Sequence, residues 1–519
     1  MKTEPSGANN TRTIARNSFW YSLELFFTLG VTLLTSIAVA RVIGPERLSY
    51  YQLMVWLTNI TIAVGSFGLP ATTRKYMAEY LNRGEPEVAR ATYLATLKIQ
   101  SYITLGVLVA ALALVFWLGD PEYRIISVLL VAAMVPRMLA TIPSQANNAS
   151  EVLKRNTGPS LIGGVTSTVI TIVSLIVGWG LTALAAAVLI GAALECGLKL
   201  RSVESWLGGV PRGTVSPELK KRMFAYSSQG VALMILNVVV WDRSDMVILK
   251  AMNNDKTQIT FFSLAFNLAE RILMIPTSFG GSLGNTMMAQ VGRGQARLKE
   301  MTADGARYAL LVALPMLVGM ACISRPLTSL YGDDYLPLIP TITIVSLFPI
   351  PKALVMAPTM LLQATEKQAF LVVWGCVCGV IDIVLDILLT PQYGANGAAF
   401  ANGSAQAMAA LGIWVYVWKS FGLRLNFVDF GRIVVSGAVM AVGVLAFTRF
   451  VPGLLGMLGA ILLGAVIWIL ALRVTAALKP EDVSRFLSIG RALPAAAQPH
   501  LKRMIYWLAP TSAAASANS

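Results

Sequence analysis

The chain has 519 residues, of which 56% are hydrophobic and only 13% charged, with a mean hydropathy of +0.66. Soluble domains carry about 25% charged residues, so this composition excludes a protein dissolved chiefly in water. The net charge of +15 would suit a nucleic-acid partner, but no nucleic-acid motif accompanies it.

A membrane-spanning helix needs about 20 apolar residues. Such runs fall at 17–40, 49–69, 92–118, 125–146, 157–178, 181–198, 223–249, 258–283, 306–324, 338–363, 368–389, 395–418, 431–449 and 453–475. They predict an all-α multi-pass membrane protein with about 14 transmembrane helices. The first run follows basic residues and holds Ala38-Val39-Ala40, as a signal peptide would. Its apolar stretch is too long for a signal's core, so it reads as a membrane helix. With the N-terminus (1–16) in the cytoplasm, most of the 41 Lys and Arg fall in cytoplasmic loops, six of them in Lys199–Arg222. The positive-inside rule then predicts that the C-terminus is cytoplasmic too, and the basic loops attract anionic lipid.

Along the chain, Glu24 is the first ionisable residue inside a span. Such residues cost about 2.5–3.5 kcal/mol each and usually face a bundle interior or a watery cavity. Lys98 lies near a cytoplasmic end, where it can snorkel. The fourth span then gives VPRMLATIPSQANNASE (Val135–Glu151), with Arg137 flanked by Pro136 and Pro143. The tenth gives IPKALVMAPTMLLQATE (Ile350–Glu366), which aligns without a gap at an offset of 215. Pro351 meets Pro136, Lys352 meets Arg137 and Pro358 meets Pro143.

Two other pairs repeat in the same order. Ser66–Gly84 resembles Ser278–Gly294, and GWGLTALAAA (Gly178–Ala187) resembles QYGANGAAFA (Gln392–Ala401). The chain therefore reads as two six-helix repeats, 17–200 and 223–419, joined by a basic linker, 201–222. Two further helices follow in 420–475, and then a cytoplasmic tail, 476–519. Six is an even number, so both repeats enter the membrane with the same orientation. Parallel repeats of this kind form the two lobes of transporters around a central cavity; a duplication retained for packing alone is the plainer alternative.

In two lobes, Arg137 and Lys352 would occupy opposite walls of one cavity. Two cations facing a shared space suit an anion, above all a phosphate, which takes several charge-assisted hydrogen bonds. Alternatively each cation pairs with an internal carboxylate and only locks the bundle. The prolines remove backbone donors and kink their helices, which makes Pro136, Pro143, Pro351 and Pro358 candidate hinges. In the seventh span, WDRSD sets Asp242 and Asp245 on one helix face with Arg243 beside them; Glu270-Arg271 follows in the eighth. In the eleventh, Asp382 and Asp386 share a face at i,i+4. Two carboxylates so close in low dielectric do not both ionise easily. Such pairs can take up and release a proton or hold a sodium ion jointly, or they form a static Asp–Arg network.

The four cysteines show neither metal-ligand spacing nor a disulfide framework. The only histidine is His500, in the tail, so histidine catalysis and His-rich metal sites are excluded. No phosphate-binding G-x-x-x-x-G-K-[ST] loop occurs. Transport would draw on an ion gradient, the membrane potential or the substrate's own gradient. Asp333-Asp334 mimics a metal-binding sugar-transferase motif but has no third ligand nearby in the sequence. The expectation is a protein that is not an enzyme and has no cofactor beyond a coupling proton or sodium.

ARVIGPERLSYYQLM (Ala40–Met54), LYGDDYLPLIPTITI (Leu330–Ile344) and YGANGAAFANGSAQ (Tyr393–Gln406) resemble signatures of the Wzx-type polysaccharide flippases. These belong to the multidrug/oligosaccharidyl-lipid/polysaccharide exporter superfamily. With the Val135–Glu151 segment, the resemblance covers nearly the whole chain. It implies movement of an undecaprenyl-pyrophosphate-linked oligosaccharide across a bacterial inner membrane, feeding O-antigen, capsule or exopolysaccharide synthesis. A polysaccharide polymerase and chain-length proteins are the further partners it suggests. Arg137 and Lys352, with Arg243 and Arg271, are then candidates for holding the pyrophosphate. Asp242, Asp245, Glu270, Asp382, Asp386 and Glu24 are candidates for ion coupling. An ion-coupled multidrug exporter of the same superfamily is the alternative; it normally has 12 helices and an acidic cavity.

Overall fold

Proline and glycine punctuate the apolar runs, and the structure, a computed structural model, turns that punctuation into helix boundaries. It describes residues 30–150, 152, 154–228, 245–253, 255–290, 295–365, 367–423, 426–479 and 482, and every regular element among them is helical. Nine of these helices are long and apolar enough to cross a bilayer, ten when a bent pair is taken as one span. The expected spans 17–40 and 223–249 fall largely outside the described residues.

One compact unit ends at Ser244 and another begins at Asp245. The first contains α1 (Gly30–Ile43), α2 (Pro45–Gly65), α3 (Leu69–Asn82), α4 (Pro86–Leu118), α5 (Arg124–Ala149), α6 (Lys154–Val177), α7 (Gly180–Leu207) and α8 (217–228). Proline occupies the first turn of α2, α3 and α4, where its missing N–H costs nothing and its fixed φ favours the helix. Between α2 and α3 the chain bends by 45° through Gly68, whose φ is +67°. A Cβ there would meet the Ser227 carbonyl oxygen at 2.5 Å, so α8 docks on the bend only because the residue is glycine. Leu219 and Met223 of α8 pack against Tyr76 of α3. In α6 and α7, Gly163 and Gly191 let the two backbones approach closely, since a Cβ on either would press on the other's carbonyl oxygen. Small residues serve this purpose at helix crossings in lipid, where water gives no apolar driving force.

The second unit contains α9 (Asp245–Met252), α10 (Thr257–Gln290), α11 (Gln295–Cys322), α12 (Ser324–Ser329), α13 (Leu338–Leu347), α14 (Ile350–Ala364), α15 (Gln368–Phe421), α16 (Phe427–Phe450) and α17 (Gly453–Val474). The 54 residues of α15 are two helices that meet at Gly394, whose φ of 54° and ψ of −131° are not helical. Its two halves are the separate runs 368–389 and 395–418 of the sequence. Helices α11, α16 and α17 share a core that includes Leu310, Leu314, Met440, Val444 and Trp468. After α17, Asp482 turns back to bind Arg307 and Tyr308 of α11, both by side-chain hydrogen bonds. Burial alone would raise the Asp482 carboxyl, but those bonds outweigh it and hold it below the ordinary carboxylate value.

Large apolar side chains such as Trp117, Leu118, Phe450 and Val474 stand outward. In water such a surface would aggregate, whereas a bilayer solvates it while the helices satisfy their own backbone groups.

Candidate functional site

Arg137 stands in the middle of α5, directly after Pro136. It is half-buried, and its Nη1 donates to Asn59 Oδ1 of α2 at 3.3 Å. Arg137 lines a small cavity with Tyr51, Thr58, Met134 and Val188 among its other walls. Pro136 and Pro143 both lie inside α5.

In the second unit Lys352 lines a small cavity together with Glu270, Phe266, Phe348, Asn402 and Gln406. Each unit thus has a cation on a cavity wall, and the two occupy equivalent positions in the aligned segments Val135–Glu151 and Ile350–Glu366. The surrounding backbones differ: Pro351 is in the first turn of α14, just after the break that separates it from α13, while Pro358 is inside the helix. Glu270 is exposed at this cavity, and Arg271 next to it is half-buried.

A group of acids lies beside this cavity. Asp382 and Asp386 project from the first half of α15, one turn apart, and α9 packs against α15 with Asp245 at its start. One carboxylate oxygen from each of the three falls within 4.8 Å of the others. Their exposures are 0% for Asp245, 2% for Asp382 and 1% for Asp386, so water does not screen them. Asp245 Oδ1, Asp382 Oδ1 and Asp386 Oδ2 have no hydrogen-bond partner. Three carboxylates packed together away from water repel one another strongly. A shared cation or bound protons relieve that repulsion. The donor set is all oxygen, which suits a hard cation rather than a thiolate-loving metal. Thr390 donates to Asp386 Oδ1 at 3.4 Å, and Asn402 Nδ2 donates to Asp245 Oδ2 at 3.4 Å.

Of the residues singled out from the sequence, Asp245, Asp382 and Asp386 come together. Glu270 joins the Lys352 cavity rather than this trio. Glu24, Asp242 and Arg243 lie outside the described residues. Sequence reasoning passed over Asn59, Thr390, Asn402 and Gln406. The i,i+4 spacing of two amides in the apolar run of α15 was the signal available for the last two.

The family described as polysaccharide biosynthesis protein matches residues 14–286. No curated protein matches the chain. Among solved structures, the lipid II flippase MurJ in an inward closed conformation superposes with a TM-score of 0.70, at 15% identity over 88% of this chain and 98% of that one. An inward-facing multidrug resistance MATE family transporter of the MOP superfamily gives a TM-score of 0.64, at 14% identity over 76% of this chain and 94% of that one. A MOP superfamily transporter from Pyrococcus furiosus, described as having a binding pocket of reversed polarity, gives 0.59 at 14% identity over 81% and 99%. At such identities the likeness establishes the fold alone, which the chain shares with these solved membrane proteins.

Proposed function

Because the chain belongs to the polysaccharide biosynthesis protein family, we propose that it is a flippase for a lipid-linked oligosaccharide. Its substrate is an undecaprenyl-pyrophosphate-linked repeat unit, moved from the cytoplasmic to the outer leaflet of a bacterial inner membrane. The flipped unit then passes to a polysaccharide polymerase and chain-length proteins for O-antigen, capsule or exopolysaccharide synthesis. The observation that carries this reading is the pair Arg137 and Lys352, matched in the repeat, each on the wall of a cavity in its own unit.

In this reading the chain folds as the two lobes of an alternating-access transporter, 17–200 and 223–419, joined by 201–222, with 420–475 as two added helices and 476–519 as a tail. The pyrophosphate carries the charge that cannot cross lipid unaided. Arg137 and Lys352 stabilise it through charge-assisted hydrogen bonds, with Arg243 and Arg271 as further donors, while the prenyl tail stays in the bilayer. Pro136, Pro143, Pro351 and Pro358 provide the bends about which the lobes rock. Asp245, Asp382 and Asp386 hold the coupling cation, a proton or sodium, with Asp242, Glu270 and Glu24 as accessory acids. Release of that cation restores three-fold repulsion in the trio and so biases the second lobe toward the state that recovers it.

The test uses purified protein in liposomes with a fluorescent prenyl-pyrophosphate oligosaccharide, comparing wild type with Arg137→Ala/Lys352→Ala. Wild type speeds transfer between leaflets by orders of magnitude over the empty bilayer. The double variant keeps its fold and loses most of that rate. Transfer unaffected by the two substitutions removes the anion site and leaves the function standing. The acid trio also suits an ion-coupled multidrug exporter. No lipid transfer under either ion gradient, with export of a cationic drug instead, decides for that second reading.

A further inference from the structure

In the second unit a pair of amides leads from the acid trio to the cavity wall that Lys352 lines. Asn402 and Gln406 lie one turn apart on the second half of α15 and both line the cavity of Lys352. They are 4% and 6% exposed. Gln406 Nε2 donates to Asn402 Oδ1 at 2.7 Å, and Asn402 Nδ2 in turn donates to Asp245 Oδ2 at 3.4 Å. Gln406 Oε1 is buried without a partner.

The orientation of both amides follows from the acid at the head of the chain. Asp245 Oδ2 accepts from Asn402, which turns the amide nitrogen to the acid. That leaves the Asn402 oxygen facing Gln406, which must answer with its own nitrogen. The Gln406 carbonyl oxygen is therefore the amide oxygen of the relay with both lone pairs unspent. A buried carbonyl left this way is unfavourable, and such groups in native structures mark a ligand or a water. The rest of the wall suits a ligand of mixed character: aromatic rings of Phe262, Phe266 and Phe348 with a few placed polar groups.

We propose that Gln406 recognises the glycan of the substrate, its Oε1 accepting a hydrogen bond from a sugar hydroxyl or acetamido N–H. Asn402, anchored on Asp245, is the positioning residue that keeps this oxygen available. The inference rests on the flippase reading and adds to it: Lys352 answers the charged linkage, and Gln406 answers the sugar. A pocket that offers an acceptor to a hydroxyl discriminates strongly against a ligand lacking it, because the buried acceptor is then left unpaired.

The experiment measures Kd for a fluorescent prenyl pyrophosphate, with and without an attached oligosaccharide, on the full chain in lipid nanodiscs. Wild type binds the glycan-bearing lipid more tightly. Gln406→Met, close in volume, weakens that binding about 5- to 30-fold, the value of one lost buried hydrogen bond. It leaves the bare prenyl pyrophosphate within about twofold of wild type. Asn402→Leu shifts the glycan-bearing lipid in the same direction. Equal weakening of both lipids would mean a merely structural role and overturn the proposal, as would no weakening of either. Equal affinity of wild type for the two lipids also overturns it and leaves the flippase reading intact. Wild type that binds neither lipid overturns the flippase reading itself.

Discussion

At the scale of single residues, the acid trio makes the sharpest demand. Asp245, Asp382 and Asp386 contribute an oxygen each within 4.8 Å, and each keeps one oxygen without a partner. Removing one charge while keeping the shape weakens the attraction for a cation without opening a void. Asp386→Asn therefore lowers the affinity for the coupling cation by at least about tenfold, the lower end of what metal-site partners contribute. The reading is substrate flux in proteoliposomes under an imposed sodium gradient and, separately, an imposed pH gradient. A variant whose flux responds to both gradients as wild type does would remove the trio from coupling. These acids were legible in the sequence because a carboxylate in an apolar run is rare and costly. Their amide neighbours were not. Asn402 and Gln406 are neutral, and nothing in a helical repeat separates an amide on a cavity wall from one turned to a neighbouring helix. Arg137 and Lys352 stood out as charges, but Asn59, the acceptor for Arg137, did not.

At the scale of elements, helix boundaries followed from proline, glycine and the length of each apolar run. The break in α15 was legible as a gap between two runs, and its cause is local. Gly394 has φ +54°, and a Cβ on it would meet Gln258 Oε1 at 2.5 Å. That oxygen cannot easily move away, because it accepts from the Ala395 N–H at 3.0 Å while Gln258 Nε2 donates to Asp255 at 2.8 Å. Gly394→Ala thus costs about 1–3 kcal/mol in backbone strain, with the displaced Gln258 in addition, and lowers the melting temperature in detergent. Gly431, inside α16 with open space where its Cβ would lie, is the control. Gly431→Ala gains helix propensity, about 0.5–1 kcal/mol, and melts no lower than wild type. Equal melting of the two variants would show that the break at Gly394 carries no strain. Less legible were α3 and α8. Each mixes charge with apolar residues, as Arg222 and Glu79 do beside Tyr76, so no apolar run marks them. Their packing on each other comes from residues far apart in sequence.

At the scale of the molecule, the expectation of a repeat rests on three pairs of segments that keep their order at a nearly constant offset. Orientation in the membrane rests on charge alone. The linker helix α8 carries Lys220, Lys221 and Arg222, all exposed, while the turn before α13 carries the exposed acids Asp333 and Asp334. Lys and Arg near span ends stay on the cytoplasmic side, and Asp and Glu contribute little to that choice. The asymmetry therefore predicts Lys220 in the cytoplasm and Asp334 outside. Labelling decides it. Cys376 is the one exposed native thiol among the four; it is first replaced by serine, and Asp334→Cys and Lys220→Cys are then made singly. A membrane-impermeant maleimide applied to intact cells modifies position 334 and reaches position 220 only after permeabilisation. The reverse pattern would invert the protein in the membrane. The direction of substrate movement would have to invert with it, since a flippase loads its charged headgroup from the side on which that headgroup is made.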